Sequence, residues 1–158
     1  MSIEIRQLTP SDIELMNALL IHFGEVFNDA NTYTKKRPRA DYLKHLLSGD
    51  SFIALVALDG KEVVGGIAAY ELKKFEQERS EFYIYDLAVS SEHRRKGVAT
   101  GLIQTLRSIA AERGAYVIFV QAETDAEDEP AIALYSKLGM REDVVHFDIL
   151  VNPSDETK

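Results

Sequence analysis

The sequence predicts an α/β layered domain, a mixed central β-sheet with helices on both faces. Three observations predict it. Apolar residues change period along the chain in the order strand, two helices, three strands, helix, strand, helix, strand. The apolar share is 46% of 158 residues, enough for one sizeable core, and a prior of roughly 150 residues per domain allows a single domain over 1–158. Both the helices and the central strands carry apolar surface, which only a layered packing hides.

The elements follow in order. Ser2–Leu8 reads as a strand, with Ile3 and Ile5 on one face and Glu4 and Arg6 on the other. Thr9-Pro10-Ser11-Asp12 is a helix-start signal, and Ile13, Met16, Leu19, Leu20 and Phe23 keep helical spacing until Gly24, which is expected to end the run. The polar stretch Asn28–Thr32 reads as a loop, either placed to fold over a ligand or a plain surface connection. A short helix spans Ala40–Leu47, carried by Tyr42, Leu43, Leu46 and Leu47 and closed by Gly49. Ser51–Leu58 is an apolar strand, Asp59-Gly60 a hairpin turn and Val63–Leu72 the returning strand, with Gly65-Gly66 marking a bulge or a close backbone approach. Ser80–Val89 is the next strand. Gly97–Arg113 is an amphipathic helix, Tyr116–Gln121 a buried-looking strand parallel to Ser80–Val89, and Pro130–Leu138 a short helix stopped by Gly139. Asp143–Leu150 reads as a last strand and 151–158 as a polar tail.

Composition excludes several classes. With no cysteine there is no disulfide frame, thiolate metal site or cysteine nucleophile. No apolar run reaches the roughly 18 residues of a membrane helix and the start lacks a signal peptide's pattern, so cytoplasm is the expected compartment. A formal charge of −8 argues against a general nucleic-acid binder and suits a cationic ligand, although many soluble proteins are acidic for solubility alone. The four histidines show no ligand spacing, so no metal is expected; His93 and His146 read as structural.

The most informative stretch runs from Asp86 to Thr100. A strand enters a short loop and then Arg94-x-x-Gly97-x-Ala99, which opens the long helix. A helix N-terminus leaves backbone N–H groups unpaired and attracts anions. Gly97 and Ala99 let a ligand approach the backbone, while Arg94, Arg95 and Lys96 add positive charge. A diphosphate is the obvious guest; an ordinary helix start is the plain alternative. The pattern is not a Walker loop, because Gly-x-x-x-x-Gly-Lys is absent, and the strand before it is not the first, which argues against a dinucleotide fingerprint.

This arrangement, followed by a strand and then Ala131-x-x-Leu134-Tyr135-x-Lys137-Leu138-Gly139-Met140, resembles the GNAT superfamily of acetyl-CoA-dependent N-acetyltransferases, and the element order matches the GNAT fold from end to end. Lys74-Phe75-Glu76-Gln77, Ser80–Val89, Gly114–Ile118 and Val145–Ile149 look like the GNAT-type aminoglycoside 3-N-acetyltransferases, the gentamicin-modifying enzymes, over about Phe23 to Ile149. Where the superfamily commonly has Asn, seven residues before the tyrosine, this chain has Asp128, which puts one expected cofactor contact in doubt.

The resemblance implies that the acetyl-CoA pyrophosphate sits on the backbone amides of Arg95, Lys96, Gly97, Val98, Ala99 and Thr100, beside Arg94. It implies that Leu87-Ala88-Val89 pairs with the pantetheine arm, with a Leu87 or Ala88 amide facing the thioester oxygen. It also implies that Tyr135 acts as general acid toward the coenzyme sulfur; a packing tyrosine on a helix face is the alternative. Asp86 is the main candidate on the acceptor side. Simple alternation puts it on one face with Ile84 and Ala88, and a carboxylate among apolar neighbours is paired or functional. It is placed to hold an ammonium and accept its proton, directly or through a water, unless it is a structural partner for an Arg or a backbone amide. Glu123 opens an acidic run with Asp125, Glu127, Asp128 and Glu129, either a solvated loop or a wall that attracts a polycationic acceptor. Glu81, Tyr83 and Tyr85 are further candidates for that wall.

The expected activity is therefore transfer of acetyl from acetyl-CoA to the 3-amino group of a gentamicin-type aminoglycoside, by direct transfer in a ternary complex, with antibiotic resistance as the consequence. The regiochemistry rests on resemblance alone. Acetylation of polyamines or protein amines is a second reading, and a non-catalytic coenzyme-A-binding module a third. A homodimer is left open, since exposed strand edges in such folds often pair.

Overall fold

A computed structural model describes residues 2–124 and 128–154. Five strands lie side by side in chain order: Ile3–Gln7 (β1), Phe52–Asp59 (β2), Glu62–Lys73 (β3), Ser80–Val89 (β4) and Ala115–Val120 (β5). The first three pairings are antiparallel and β4 pairs with β5 in parallel, across the helix Val98–Glu112 (α3). Ile13–Val26 (α1) and Ala40–Ser48 (α2) connect β1 to β2. The mixed sheet of an α/β domain is therefore present, as the period changes predict.

The contacts divide the chain after Val120 into two units. The first holds the whole sheet with α1, α2 and α3. The second carries the helix Glu129–Leu138 (α4). Residues 141–150 have no regular structure, so the expected strand Asp143–Leu150 is not formed. Its alternation of Val145, Phe147 and Ile149 with His146 and Asp148 satisfies the pleat. A strand also needs a neighbour's hydrogen bonds, and no ladder among the described residues supplies them. Of the expected tail, 155–158 lie outside the described residues.

Two adjacent glycines show which helix covers which face of the sheet. A Cβ on Gly66 would stand 2.3 Å from Leu19 Cδ1 of α1, and one on Gly65 would stand 3.2 Å from Val98 Cγ1 of α3. Neighbouring strand residues point to opposite faces, so α1 and α3 lie on opposite sides. Both expectations for this dipeptide hold: the backbones approach closely, and a bulge lies next door, where Val64 is extra between the pairs Ala57↔Gly65 and Leu58↔Val63. The core on the α1 side joins Leu19, Phe23, Leu43 and Leu47 to Phe52, Ala54, Val56, Ala68 and Ala88. Each large aliphatic or aromatic side chain fully buried there contributes about 1.5–3 kcal/mol. β2, second in the sheet, is buried on both faces, as its near-continuous apolar sequence requires. β5 is less covered than its composition predicts, with Tyr116 and Val117 exposed.

Helix α1 does not stop at Gly24 but runs on to Val26. Gly24 is instead a seat: a Cβ there would meet Tyr33 Cβ and Thr34 Cγ2, each at 3.4 Å. The chain reverses at Asn28, whose φ of 52° suits Asn, and residues Asn31–Lys35 form a π-helical turn against α1 rather than the irregular loop the polar sequence implies.

Replacing Gly66 by Ala should lower stability by about 1–3 kcal/mol, because the new methyl meets both Leu19 and the Leu55 carbonyl. Gly49→Ala, where a Cβ would come no nearer than 3.8 Å to the Leu46 carbonyl, should change little. Urea denaturation midpoints check the contrast; equal midpoints would contradict the close approach.

Candidate active site

The site begins with a break in strand alternation. Across β3 and β4, Ala68 pairs with Asp86 and the next residue, Ala69, with Ile84. Tyr85 is therefore extra, a β-bulge in the middle of β4. Ala68 and Ala69 point to opposite faces, and so do their partners. Asp86 thus lies with Ala88 on the α1 face and Ile84 on the α3 face, which corrects the expectation that Asp86 and Ile84 share a side. The bulge adds a residue that simple alternation cannot count.

Two polar contacts cross the α1 layer to this stretch of β4. The Tyr33 hydroxyl donates to Asp86 Oδ2 at 2.8 Å, and His22 Nε2 lies 3.3 Å from the Ala88 carbonyl oxygen, to which it donates. Burial, then the Asp86 charge, pushes the Tyr33 phenol far above its ordinary range, so it stays protonated. Burial lowers the pKa of His22, against the opposing pull of the Ala88 carbonyl and Glu25. The Tyr33 ring packs on Phe23 and Phe27, with centroids 5.9 and 5.7 Å away, and its backbone N–H donates to Asp29 O.

An aromatic row continues from this carboxylate across the sheet. Phe52 touches Tyr70, Tyr70 meets Tyr85 edge-on at 5.9 Å, Tyr85 meets Tyr83 at 5.9 Å, and Tyr83 stacks on Phe119 at 4.7 Å. The expected acceptor residues Tyr83 and Tyr85 are thus brought into one row whose middle members, Tyr70 and Tyr85, lie near Asp86. Tyr70 and Tyr85 are 36% and 44% exposed, so part of the row offers ring surface to a ligand. Tyr42 of α2 lies within electrostatic reach of Tyr70, and with Arg37, Pro38 and Arg39 it lines a cleft of about 410 Å³.

The other end of β4 leads to the expected diphosphate turn. The β4–β5 ladder ends at Ile84↔Val120, so Leu87, Ala88 and Val89 lie beyond it. Ser91–His93 form a 3₁₀ turn, and buried His93 clamps it. Its Nε2 lies 3.2 Å from Asp59 Oδ2 in the β2–β3 hairpin, and its Nδ1 shares a 2.7 Å hydrogen bond with the Ser90 hydroxyl. Arg94, Arg95, Lys96 and Gly97 are exposed, Arg95 and Gly97 have φ of 61° and 79°, and Gly97 caps α3. A Cβ on Gly97 would meet nothing within 4 Å. The turn therefore has open space, three cations and the first-turn amides of Val98, Ala99 and Thr100. That donor set fits a diphosphate.

Glu81 and Asp128 are engaged locally. Glu81 accepts from the Tyr116 hydroxyl and pairs with Lys74 at 3.4 Å, and these partners hold its carboxyl below the ordinary range. Arg79 lies over the Tyr116 ring at 3.7 Å. In the second unit, Asp128 Oδ2 accepts from the Glu123 backbone N–H at 2.7 Å, closing the loop before α4. Tyr135 lies on α4, where burial, with the Asp128 charge adding, pushes its phenol up to about 12. Asp125 lies outside the described residues. Sequence reading missed Tyr33, His22 and Tyr70. The available signal was a lone aromatic directly after a polar run, six residues beyond Phe27; nothing in the spacing ties it to a strand 53 residues away.

Comparison with known proteins follows the same lines. The model of the acetyltransferase (GNAT) family matches residues 15–140. An aminoglycoside acetyltransferase from an uncultured soil metagenomic sample, HMB0005, is 64% identical, with a TM-score of 0.95 over 96% of this chain and 100% of its own. A second from the same kind of source, meta-AAC0020, solved in complex with sisomicin, is 31% identical, with a TM-score of 0.85 over 95% and 97%. N-acetyltransferase 8B of Rattus norvegicus is 32% identical over 108 residues, 68% of this chain and 48% of its own. The chain spans about half the length of the curated relatives it matches. With its α/β sheet, its turn at Gly97 and a family match over most of its length, the chain belongs to the GNAT family of acetyltransferases.

Proposed function

We propose that the chain is an acetyl-CoA-dependent aminoglycoside N-acetyltransferase acting on the 3-amino group of gentamicin-type aminoglycosides, an activity that confers resistance. The observation that carries the reading is the Asp86 carboxylate, turned by the bulge toward the α1 face and set beside the exposed edge of an aromatic row. The substrate class draws its support from the likeness to HMB0005 and to meta-AAC0020, whose complex contains sisomicin.

Acetyl-CoA, when bound, supplies an activated acetyl thioester. The amides of Arg95 to Thr100 and the side chains of Arg94, Arg95 and Lys96 hold its diphosphate, and the β4 edge at Leu87–Val89 receives the pantetheine arm. Asp86 attracts the acceptor's ammonium and takes one proton, directly or through one water, so that the nitrogen lone pair is free to attack; the second proton that the nitrogen sheds on becoming an amide replaces the one given to the departing sulfur. Tyr70 and Tyr85 supply ring faces for a cationic sugar. Tyr135, its phenol raised to about 12, keeps a proton to give to the departing sulfur. No acyl-enzyme is required, and the chain has no cysteine to form one on a thiol. The likeness to N-acetyltransferase 8B keeps a second reading open, acetylation of another class of amine.

Incubation with acetyl-CoA and gentamicin, followed by mass spectrometry and NMR of the product, tests both activity and position; acetylation of polyamines or peptide amines alone would select the second reading. Asp86→Asn should lower turnover at least about tenfold while leaving acetyl-CoA affinity within about twofold. Unaltered turnover would remove Asp86 from the mechanism. The sign for Tyr135 is equally definite. A raised pKa means the proton is retained as pH rises, so turnover should show no falling alkaline limb below about pH 10. A fall centred near pH 9 in kcat, absent from Tyr135→Phe, would contradict the role given to this phenol.

A further inference from the structure

The Tyr33–Asp86 hydrogen bond has a functional consequence that rests on the proposed role of Asp86. We infer that Tyr33 is the positioning residue for that carboxylate: its hydroxyl, delivered by the π-helical turn, fixes the Asp86 side chain in the orientation that receives the acceptor amine.

The first support is geometric. Asp86 lies next to a bulge that turns it to the α1 face, which fixes the side of the sheet it takes but not the rotamer of its carboxylate. Tyr33 adds a direct 2.8 Å tie to one named oxygen, Oδ2. A carboxylate held by a donor that stays protonated keeps one orientation through repeated proton transfers.

The second support is the construction behind the phenol. Asn28 turns the chain with a positive φ, the Asp29 side chain accepts from Thr32 N, and the Asp29 carbonyl accepts from Tyr33 N. Gly24 leaves room for the Tyr33 Cβ, and Phe23 and Phe27 flank the ring. Packing alone would be served by phenylalanine. The hydroxyl is the one part of Tyr33 that this packing does not require, and it is the part that meets Asp86.

Several titratable groups surround this carboxylate. Tyr33 comes from the π-helical turn, with Asp29 behind it. Tyr70 of β3 and Tyr85 of β4 lie within electrostatic reach of the pair, Tyr42 of α2 lies beyond Tyr70, and His22 of α1 is bonded at Ala88. Among them, the Tyr33 hydroxyl donates to the Asp86 carboxylate. A carboxylate that loses a donated hydrogen bond holds its proton to higher pH, so removing the hydroxyl should move the acid limb of activity upward.

The test compares the parent with Tyr33→Phe, Asp86→Asn and the double variant, with acetyl-CoA and gentamicin as substrates. Tyr33→Phe should lower kcat about tenfold and shift the acid limb of kcat upward by about half a pH unit or more. Acetyl-CoA KM and the thermal midpoint should stay near the parent's, because the ring packing is kept. In the Asp86→Asn background the same change should add almost nothing. If Tyr33→Phe leaves kcat and its pH profile unchanged while Asp86→Asn is inactive, the positioning role is overturned and the proposed function stands. A lower thermal midpoint with an unshifted pH profile would make Tyr33 merely structural and equally overturn it. Full turnover by Asp86→Asn would reject the role of Asp86, and that of Tyr33 with it.

Discussion

One extra residue in β4 sets the geometry of the site. Without the bulge at Tyr85, strand alternation would place Asp86 on the same face as Ile84, under α3 and among the residues that pack there. With it, Asp86 faces α1, where polar groups reach it and where part of the sheet surface is exposed. Asp86 is half-buried there, so water shares in solvating its charge and the Tyr33 hydroxyl adds direction more than stability. The bulge and the Tyr33 hydroxyl therefore act in sequence: the first turns the residue to this face, and the second orients its carboxylate.

The same strand organises the other half of the proposed chemistry. β4 starts beside β5 and leaves that ladder at Ile84, so its last residues are set apart from its first. At its end, Ser90 N donates to Val64 O, and His93 joins Ser90 to Asp59 in the hairpin. These contacts fix where α3 begins, hence where its unpaired amides point. A binding turn and a carboxylate on one rigid strand keep a constant separation, which positioning catalysis needs more than it needs any one strong contact.

Much of this fold was legible because its signals are local. Asp59-Gly60 makes the hairpin, and the helical run from Val98 to Ala110 makes α3. Asp86 stands out in the sequence as a carboxylate between apolar residues, although Ile84, counted there as a neighbour on its face, lies on the other side. What escaped was non-local. Gly24 reads as a stop, yet it is a contact surface for Tyr33 and Thr34. The Tyr33–Asp86 bond joins residues 53 apart, and no period in either segment encodes it. The register slip at Tyr85 is set by pairing with Ala68 and Ala69, which the β4 sequence alone does not contain. Residues 143–150 fail in the opposite way, since a clear alternation cannot by itself provide a partner strand.

Net charge and local charge play different parts in this molecule. A net charge of −8 invites the view that acidic residues in bulk attract a cationic acceptor. Two of the carboxylates expected in that wall are already engaged: Glu81 by Tyr116 and Lys74, and Asp128 by the Glu123 amide. Net charge acts at long range and is screened by salt over about 10 Å, so it steers a cation without orienting it. Orientation needs short-range groups of fixed direction. In the proposed reading, the Asp86 carboxylate supplies the charge and the Tyr70 and Tyr85 rings supply faces on which a sugar bearing an ammonium can lie. Selectivity among amines is then decided by whether a ring can cover those faces while its amine reaches Asp86. A flexible polyamine satisfies the charge but not the faces, which is the physical ground for favouring an aminoglycoside.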